Sequence, residues 1–406
     1  MKKILLFFLM LSPIGVFAQA YQLNLQGTRQ IGKGSTGLAQ PTDATSLFTN
    51  PGSAAFLDKN GATIGLTGTF TKGTFTDANS NVEYKTDNPI ETPFNASAVF
   101  GNEEGKWRYG ITVFTPFGSS NKWEEGSAGR FDTKEISLLS ISVQPTVSYK
   151  ISDKWGVGLG LAYTYGQVDI RRDLPVQFGD GSFAESQIKS DANGFNVNAG
   201  VYYKPSEDIA LAFTYRSPLK MKSTGGKANF DVPQSLEGNF PSQGMKATLP
   251  LPQIFGIGAS YKPHENWVIN ADAYLSDWND YDIIDIEFEE ELVAGENSTQ
   301  LIRHYKNGYS FRAGVEYLPE KSYELRAGVI VGVSPINSRY MSPDVPDANR
   351  INPSVGGSYI FSENFRVDAA LLMEFINRES HNTTSNIDGT YNFDLFFPSI
   401  GLTYNF

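Results

Sequence analysis

The chain has 406 residues, 13% of them aromatic, with 39 Gly, 20 Tyr and 28 Phe, and a formal net charge of −11. That balance argues against a nucleic-acid partner. The absence of Cys removes disulfides and thiolate metal sites, and only three His remain for catalysis or metal binding.

In chain order, residues 1–20 read as a secretory signal peptide. Lys2 and Lys3 precede the apolar run Ile4–Leu11, and Val16-Phe17-Ala18 offers small residues at the cleavage positions. The run is too short to cross a bilayer as a helix. Residues 21–59 are rich in Gly, Ser, Thr and Ala and lack sustained alternation. They carry Leu23, Leu25, Leu38, Leu47, Phe48, Phe56 and Leu57, too many apolar residues for a solvated tail. Gly32-Lys33-Gly34-Ser35-Thr36-Gly37 matches G-x-G-x-x-G but follows no strand and opens no helix. Its glycines are expected to let the backbone pass close to another surface.

From residue 60 to 406 the pattern is period-two alternation bounded by turn residues, which means strands with different solvents on their two faces. The last strand shows it most clearly. Ile400, Leu402, Tyr404 and Phe406 alternate with Ser399, Gly401, Thr403 and Asn405. About fourteen strands are expected, near 61–76, 93–103, 106–118, 132–151, 155–172, 191–204, 209–231, 249–262, 267–288, 303–318, 323–333, 351–361, 365–379 and 390–406. Short and long connections alternate strictly, as periplasmic turns and outer loops do. A sheet that is apolar outside over its whole length needs lipid, and in lipid it must close on itself. The expected fold is therefore all-β: a transmembrane antiparallel β-barrel in the outer membrane of a Gram-negative cell, in contact with its lipids and lipopolysaccharide. A ring of this size leaks unless filled, so residues 21–59 are expected to form a hatch inside it.

Parity assigns faces. Trp267, Ile269, Ala271, Ala273 and Leu275 face lipid; Asn270 and Asp272 face in. Trp155, Val157, Leu159 and Leu161 face lipid, opposite an inward track of Gly156, Gly158, Gly160 and Ala162 with room for a packed segment. An inward apolar set, Phe114, Leu138, Val168, Ile170, Tyr274, Trp278, Ile330, Leu372 and Ile376, falls in the middle or outer half of its strands. Arg108, Asn270, Glu324, Arg326, Arg366 and Asp368 lie lower. An apolar upper lumen suggests a pocket for a hydrophobic ligand; the same residues also suit packing against the hatch. Pro116 in Val113-Phe114-Thr115-Pro116-Phe117-Gly118 removes a ladder donor. Either the wall bends and opens there, or Pro116 ends the strand at the outer rim. The run Asp285, Glu287, Glu289, Glu290 and Glu291 reads as a solvated face leading into an outer loop. No Ser–His constellation, metal spacing or cofactor motif is present, so no enzyme activity and no cofactor are expected.

Several motifs together resemble the FadL family of outer-membrane transporters for long-chain fatty acids and other hydrophobic compounds. In the hatch, Asn50-Pro51-Gly52 is similar to the family's Asn-Pro-Ala signature, with Gly replacing Ala. Pro116-Phe117-Gly118, Trp123 and Gly129-Arg130-Phe131 resemble its third-strand motif. Leu251-Pro252, Asp277-Trp278, Arg326-Ala327-Gly328, Ser334-Pro335 and Pro346-Asp347-Ala348-Asn349-Arg350 follow in the family's order. The resemblance implies a monomeric fourteen-stranded barrel with a lateral opening at Pro116, Phe117 and Gly118. It also implies passive passage of a hydrophobic ligand, sideways into the membrane. A fatty-acid carboxylate needs a cationic partner, and Arg172, Lys306 and Arg312 are the inward candidates, with pairing to the hatch or to Glu316 as their other role. The alternatives are a general diffusion porin or an aromatic hydrocarbon channel.

Overall fold

The computed structural model describes residues 20–406 except Glu103, 292–296 and Glu320, so the leader read at 1–20 lies outside the described residues apart from Ala20. Fourteen strands form one closed ring. Each is antiparallel to its chain neighbours, and the first strand pairs with the last, from Gly61↔Asn405 to Thr67↔Ser399. Closure leaves no free edge, which a sheet in lipid requires.

The alternation behaves as a bilayer demands. In the ninth strand (Trp267–Asp277, resuming at Ile283–Phe288), Trp267, Ile269 and Ala271 are exposed while Val268, Asn270 and Asp272 are buried. In the thirteenth (Phe365–Asn382), Asp368, Ala370, Leu372, Glu374 and Ile376 all turn in. Near the strand ends beside the short turns, aromatic cross-strand partners pack together on the outer face. They are Trp155 on Tyr203 (4.2 Å), Trp267 on Tyr317 (4.8 Å) and Trp107 on Tyr149 (4.5 Å). Rings at this depth form the girdle of an outer-membrane barrel.

Several expected extents need correction; the ninth strand, expected unbroken over 267–288, is interrupted between Asp277 and Ile283. The connection expected at 173–190 is mostly strand. The fifth strand (Trp155–Gln177) and sixth (Phe183–Tyr203) form one long hairpin with its tip at 178–182. Beyond the bilayer a strand needs no apolar outer face, so Glu185, Gln187 and Lys189 read as loop while their backbones stay paired. The tenth strand, expected to run unbroken over 303–318, is two pieces, Ser298–Ile302 and Gly308–Tyr317, with an irregular stretch between them.

The hatch fills the lower lumen with three single turns, Thr28–Ile31, Ser46–Thr49 and Ser53–Phe56. Ile31, Leu38 and Leu47 are fully buried. Its backbone donors reach side chains around the ring: Gly27 N to Asn95 Oδ1 (3.0 Å), Gly34 N to Ser354 Oγ (2.8 Å) and Gly37 N to Asp272 Oδ2 (2.9 Å). Asn50 Nδ2 donates to Leu38 O and to Val201 O of the sixth strand (3.0 and 3.1 Å), clamping hatch to wall. Pro51 and Gly52 lie on the Gly156–Gly158 track expected to receive a packed segment, where a Cβ would collide with their carbonyls. Gly34, at φ +70°, fits between Ala313 O and Val329 N with no room for a side chain, so the G-x-G-x-x-G run is a close-approach turn.

Charge locks this packing. Glu316, fully buried, takes Arg29 Nε (2.9 Å) and Lys33 Nζ (3.3 Å) from the hatch and Arg326 Nε (2.6 Å) from the next strand. Arg366 Nη2 reaches back to Asp43 at 3.1 Å. Buried ion pairs recover their desolvation cost only with good geometry. Their effect here is to fix one position of the hatch.

Candidate functional site

The wall breaks at the third strand, which runs Trp107–Phe114 and resumes at Gly118–Lys122. Phe114 is opposite Ser142 and Gly118 opposite Leu139, so Thr115-Pro116-Phe117 stand against Ser140-Ile141, a bulge of one residue. Ser140 splints it: its Oγ accepts from Phe117 N (3.1 Å) and donates to Phe117 O (2.6 Å). On the other side the second strand (Phe94–Phe100) keeps pace only as far as Thr115, whose N donates to Phe94 O at 3.1 Å. Its upstream residues then lean toward the first strand, where Thr69 N donates to Glu91 O at 2.8 Å. The start of the hatch takes the vacated edge from inside. Leu23 N donates to Pro116 O (3.1 Å), Gly118 N to Tyr21 O (3.2 Å), and Gln22 faces Phe117 in an antiparallel bridge. Pro116 therefore does not end the strand at the rim; it turns the strand's edge inward.

A cavity leads from this breach into the lumen. Its outer end is framed by Thr69, Pro89, Glu91 and Gly118–Asn121, its inner end by Ile330, Leu372, Ile376 and Phe397. It leaves about 170 Å³ open to the centre of a water-sized sphere.

A second cavity, with about 110 Å³ open in the same sense, lies on the other side of Tyr21. Its lining is aliphatic: Leu138, Val168, Ile170, Met221, Leu249 and Ile284, with Arg303 and Asp344 at one side. Tyr21 and Asp344 line both cavities and part them. The Tyr21 ring packs on Trp278 and Tyr281, with centroids at 6.5 and 5.9 Å. Its hydroxyl donates to Asp344 Oδ2 (2.8 Å), and Asp344 takes Arg303 through Nη2 (2.7 Å) and Nη1 (3.2 Å). Asp344 belongs to the connection 334–349, which folds down into the barrel mouth, where Pro343 O accepts from Trp123 Nε1 at 3.0 Å. Burial pushes the Asp344 carboxyl up, but the adjacent Arg303 guanidinium and the hydrogen bonds from Tyr21, Ser342 and Arg303 together outweigh it, and the group sits below the usual Asp range.

The inward apolar set is thus divided. Leu138, Val168 and Ile170 line the second pocket; Ile330, Leu372 and Ile376 line the passage to the breach. Trp278 is fully buried beside Tyr21. Phe114 packs edge-on against hatch Phe48 (4.5 Å), and Tyr274 lies under the Arg312 guanidinium (4.0 Å). The three candidate anchors do not meet at the pocket. Arg312 is committed to the hatch, donating to Asn24 Oδ1 (2.7 Å) and Ser35 O (3.0 Å). Lys306 falls in the irregular stretch of the tenth strand, where parity no longer holds, and its side chain is exposed rather than inward. Arg172 rests on Ser186 Oγ (3.3 Å) and is not part of the pocket lining. Sequence reasoning missed the cation that is there, Arg303, with its partners Asp344 and Tyr21.

Residues 10–406 match the family described as outer membrane protein transport protein (OMPP1/FadL/TodX). The chain belongs to this family. It is 21% identical over 403 residues to the long-chain fatty acid transport protein of Escherichia coli K12, covering 87% of each chain. With the proteins of that name from Escherichia coli O6:H1 and Salmonella typhi, the match spans 65% and 66% of their length. In fold it is similar to a Pseudomonas aeruginosa FadL homologue (TM-score 0.81, 18% identity, 97% of this chain and 100% of that one). It is also similar to the Pseudomonas putida toluene transporter TodX (TM-score 0.75, 17% identity, 97% and 100%). Family and fold place this barrel in the Gram-negative outer membrane.

Proposed function

We propose that this protein carries hydrophobic small molecules by passive diffusion. Cargo is captured in the pocket of Leu138, Val168 and Ile170, passes the Tyr21 partition, and leaves through the breach at Pro116, Phe117 and Gly118 into the membrane. The observation that carries the reading is that two cavities, one aliphatic and one opening in the wall, are parted by a single hatch residue and its hydrogen-bonded partner. Sideways exit keeps an apolar molecule out of water, which saves about 25 cal/mol per Å² of its surface. Relatives named for their cargo carry long-chain fatty acids or toluene, and both are apolar enough for such a route. The ring closes on its own strands, which supports action as a monomer.

The test pairs two measurements. Cells lacking other uptake routes should gain saturable uptake of a labelled apolar probe. The purified barrel in a planar bilayer should pass no steady large current, because the hatch fills the bore. A large steady current without saturable apolar uptake would make the protein a general porin instead.

A further inference from the structure

We propose that the cargo is uncharged, and that a carboxylate is a poor ligand unless Asp344 is removed; this rests on the transport reading above. The fixed charges along the route disfavour an anion. Arg303 and Asp344 are the charged side chains of the second pocket's lining among the described residues, and they neutralise each other in a buried, two-point ion pair. Tyr21 adds a third hydrogen bond to the same carboxylate. A ligand carboxylate would have to displace Asp344 from Arg303, leaving one of two anions buried without its partner, and an unpaired buried charge is costly.

The passage onward is more hostile to an anion. Apart from Asp344, already neutralised by Arg303, its lining carries Glu91, Asp347 and Glu374 against Arg350. Arg350 is already shared between Asp347 (2.5 Å) and Glu374 (2.9 Å), and Asn352 Nδ2 takes the other Glu374 oxygen at 2.9 Å. An anionic cargo would pass a wall of excess negative charge with its one guanidinium occupied. A neutral molecule meets no such barrier.

One polar group on the pocket is left over. Arg303 Nε is buried and has no partner among the described residues. It offers a single donor to an acceptor that brings no net charge, such as the oxygen of an alcohol, ketone or ester. The class expected is therefore a hydrocarbon, or an apolar chain bearing one neutral oxygen.

Binding of tetradecan-1-ol and of tetradecanoate to the full barrel in lipid nanodiscs at pH 8 decides the matter. Each is referenced to its own partition into protein-free discs. The alcohol should bind at least about tenfold more tightly than the carboxylate. Asp344→Asn, which uncovers the Arg303 charge in an almost unchanged shape, should narrow or reverse that ratio. Leu249→Trp, which fills the cavity, should abolish the binding of both. A carboxylate that binds the unaltered protein as tightly as the alcohol overturns the charge assignment while leaving the transport reading standing. If neither probe binds above partition, or if Leu249→Trp changes nothing, the transport site itself is wrong and this inference falls with it.

Discussion

Gln22 and Phe117 are opposite each other in an antiparallel bridge between the hatch and the third strand. The flanking hydrogen bonds, Leu23 N to Pro116 O and Gly118 N to Tyr21 O, lie outside the pair, so the two residues form a non-hydrogen-bonded pair. In such pairs the Cα atoms approach to about 4.5 Å. The hatch thus completes the sheet where the second strand leaves it, and the seal on the side opening is the segment that parts the two cavities.

Such a pair is well placed for a disulfide, and the chain has no Cys of its own to interfere. Gln22→Cys with Phe117→Cys should form a bond on oxidation and arrest uptake of an apolar probe, with recovery on adding reductant. Uptake in the oxidised double variant equal to that of the single variants would mean that the hatch edge does not move during transport.

Ser140 satisfies both backbone groups of Phe117. Ser140→Ala leaves both without that partner at a bulge in the wall, a loss of about 1–3 kcal/mol. The temperature at which the folded band disappears in a heating series on gels should fall, while Ser142→Ala, at a residue in regular register, should lower it less. Equal effects would mean the splint contributes nothing particular.

Glu316 holds two hatch cations and Arg326. Glu316→Gln removes the shared anion and leaves three buried cations short of charge, at a cost of about 3–5 kcal/mol. The ring retains its strand pairing, so the loss should show as a loosened hatch, seen as flickering ionic current in planar bilayers. A silent bilayer and unchanged thermal stability would show that hydrogen bonds such as Asn50 to Val201 suffice.

The Tyr21–Asp344–Arg303 latch sets a pH window. The Asp344 carboxyl lies below its ordinary value in the folded protein. Its contribution is therefore complete above the unfolded value of about 3.9 and is lost as pH falls through the lower folded value. The fluorescence of Trp278, packed against Tyr21, should stay constant from pH 8 to about 5 and change only in strong acid. Asp344→Asn should remove that acid transition; a transition near neutrality would point to a different group.

What was legible in the sequence was whatever the bilayer enforces. The inward and outward faces of Trp267–Asp277 and Phe365–Asn382 follow from parity because a slip would put Asp272 or Glu374 into lipid. The glycine track at Gly156 and Gly158 announced a packed segment for the same steric reason. The polar side of the pocket was not legible. Arg303 opens the stretch where the tenth strand leaves its ladder, so counting by twos placed Lys306 inward and gave Arg303 no role. Tyr21 and Asp344 lie in segments without periodicity, 323 positions apart, and acquire their role only where the hatch and the folded-in connection meet.

The seam between Gly61–Thr67 and Ser399–Asn405 joins the two ends of the barrel sequence. Its ladder cannot zip until the final residues have been delivered, so the ring cannot close before the last strand is in place. The hatch touches the second, sixth, ninth, tenth and twelfth strands from within. Every one of those contacts depends on a wall that is continuous only once the seam has shut. A chain truncated before Ser399 should therefore lack the closing ladder and leave the hatch in an open sheet.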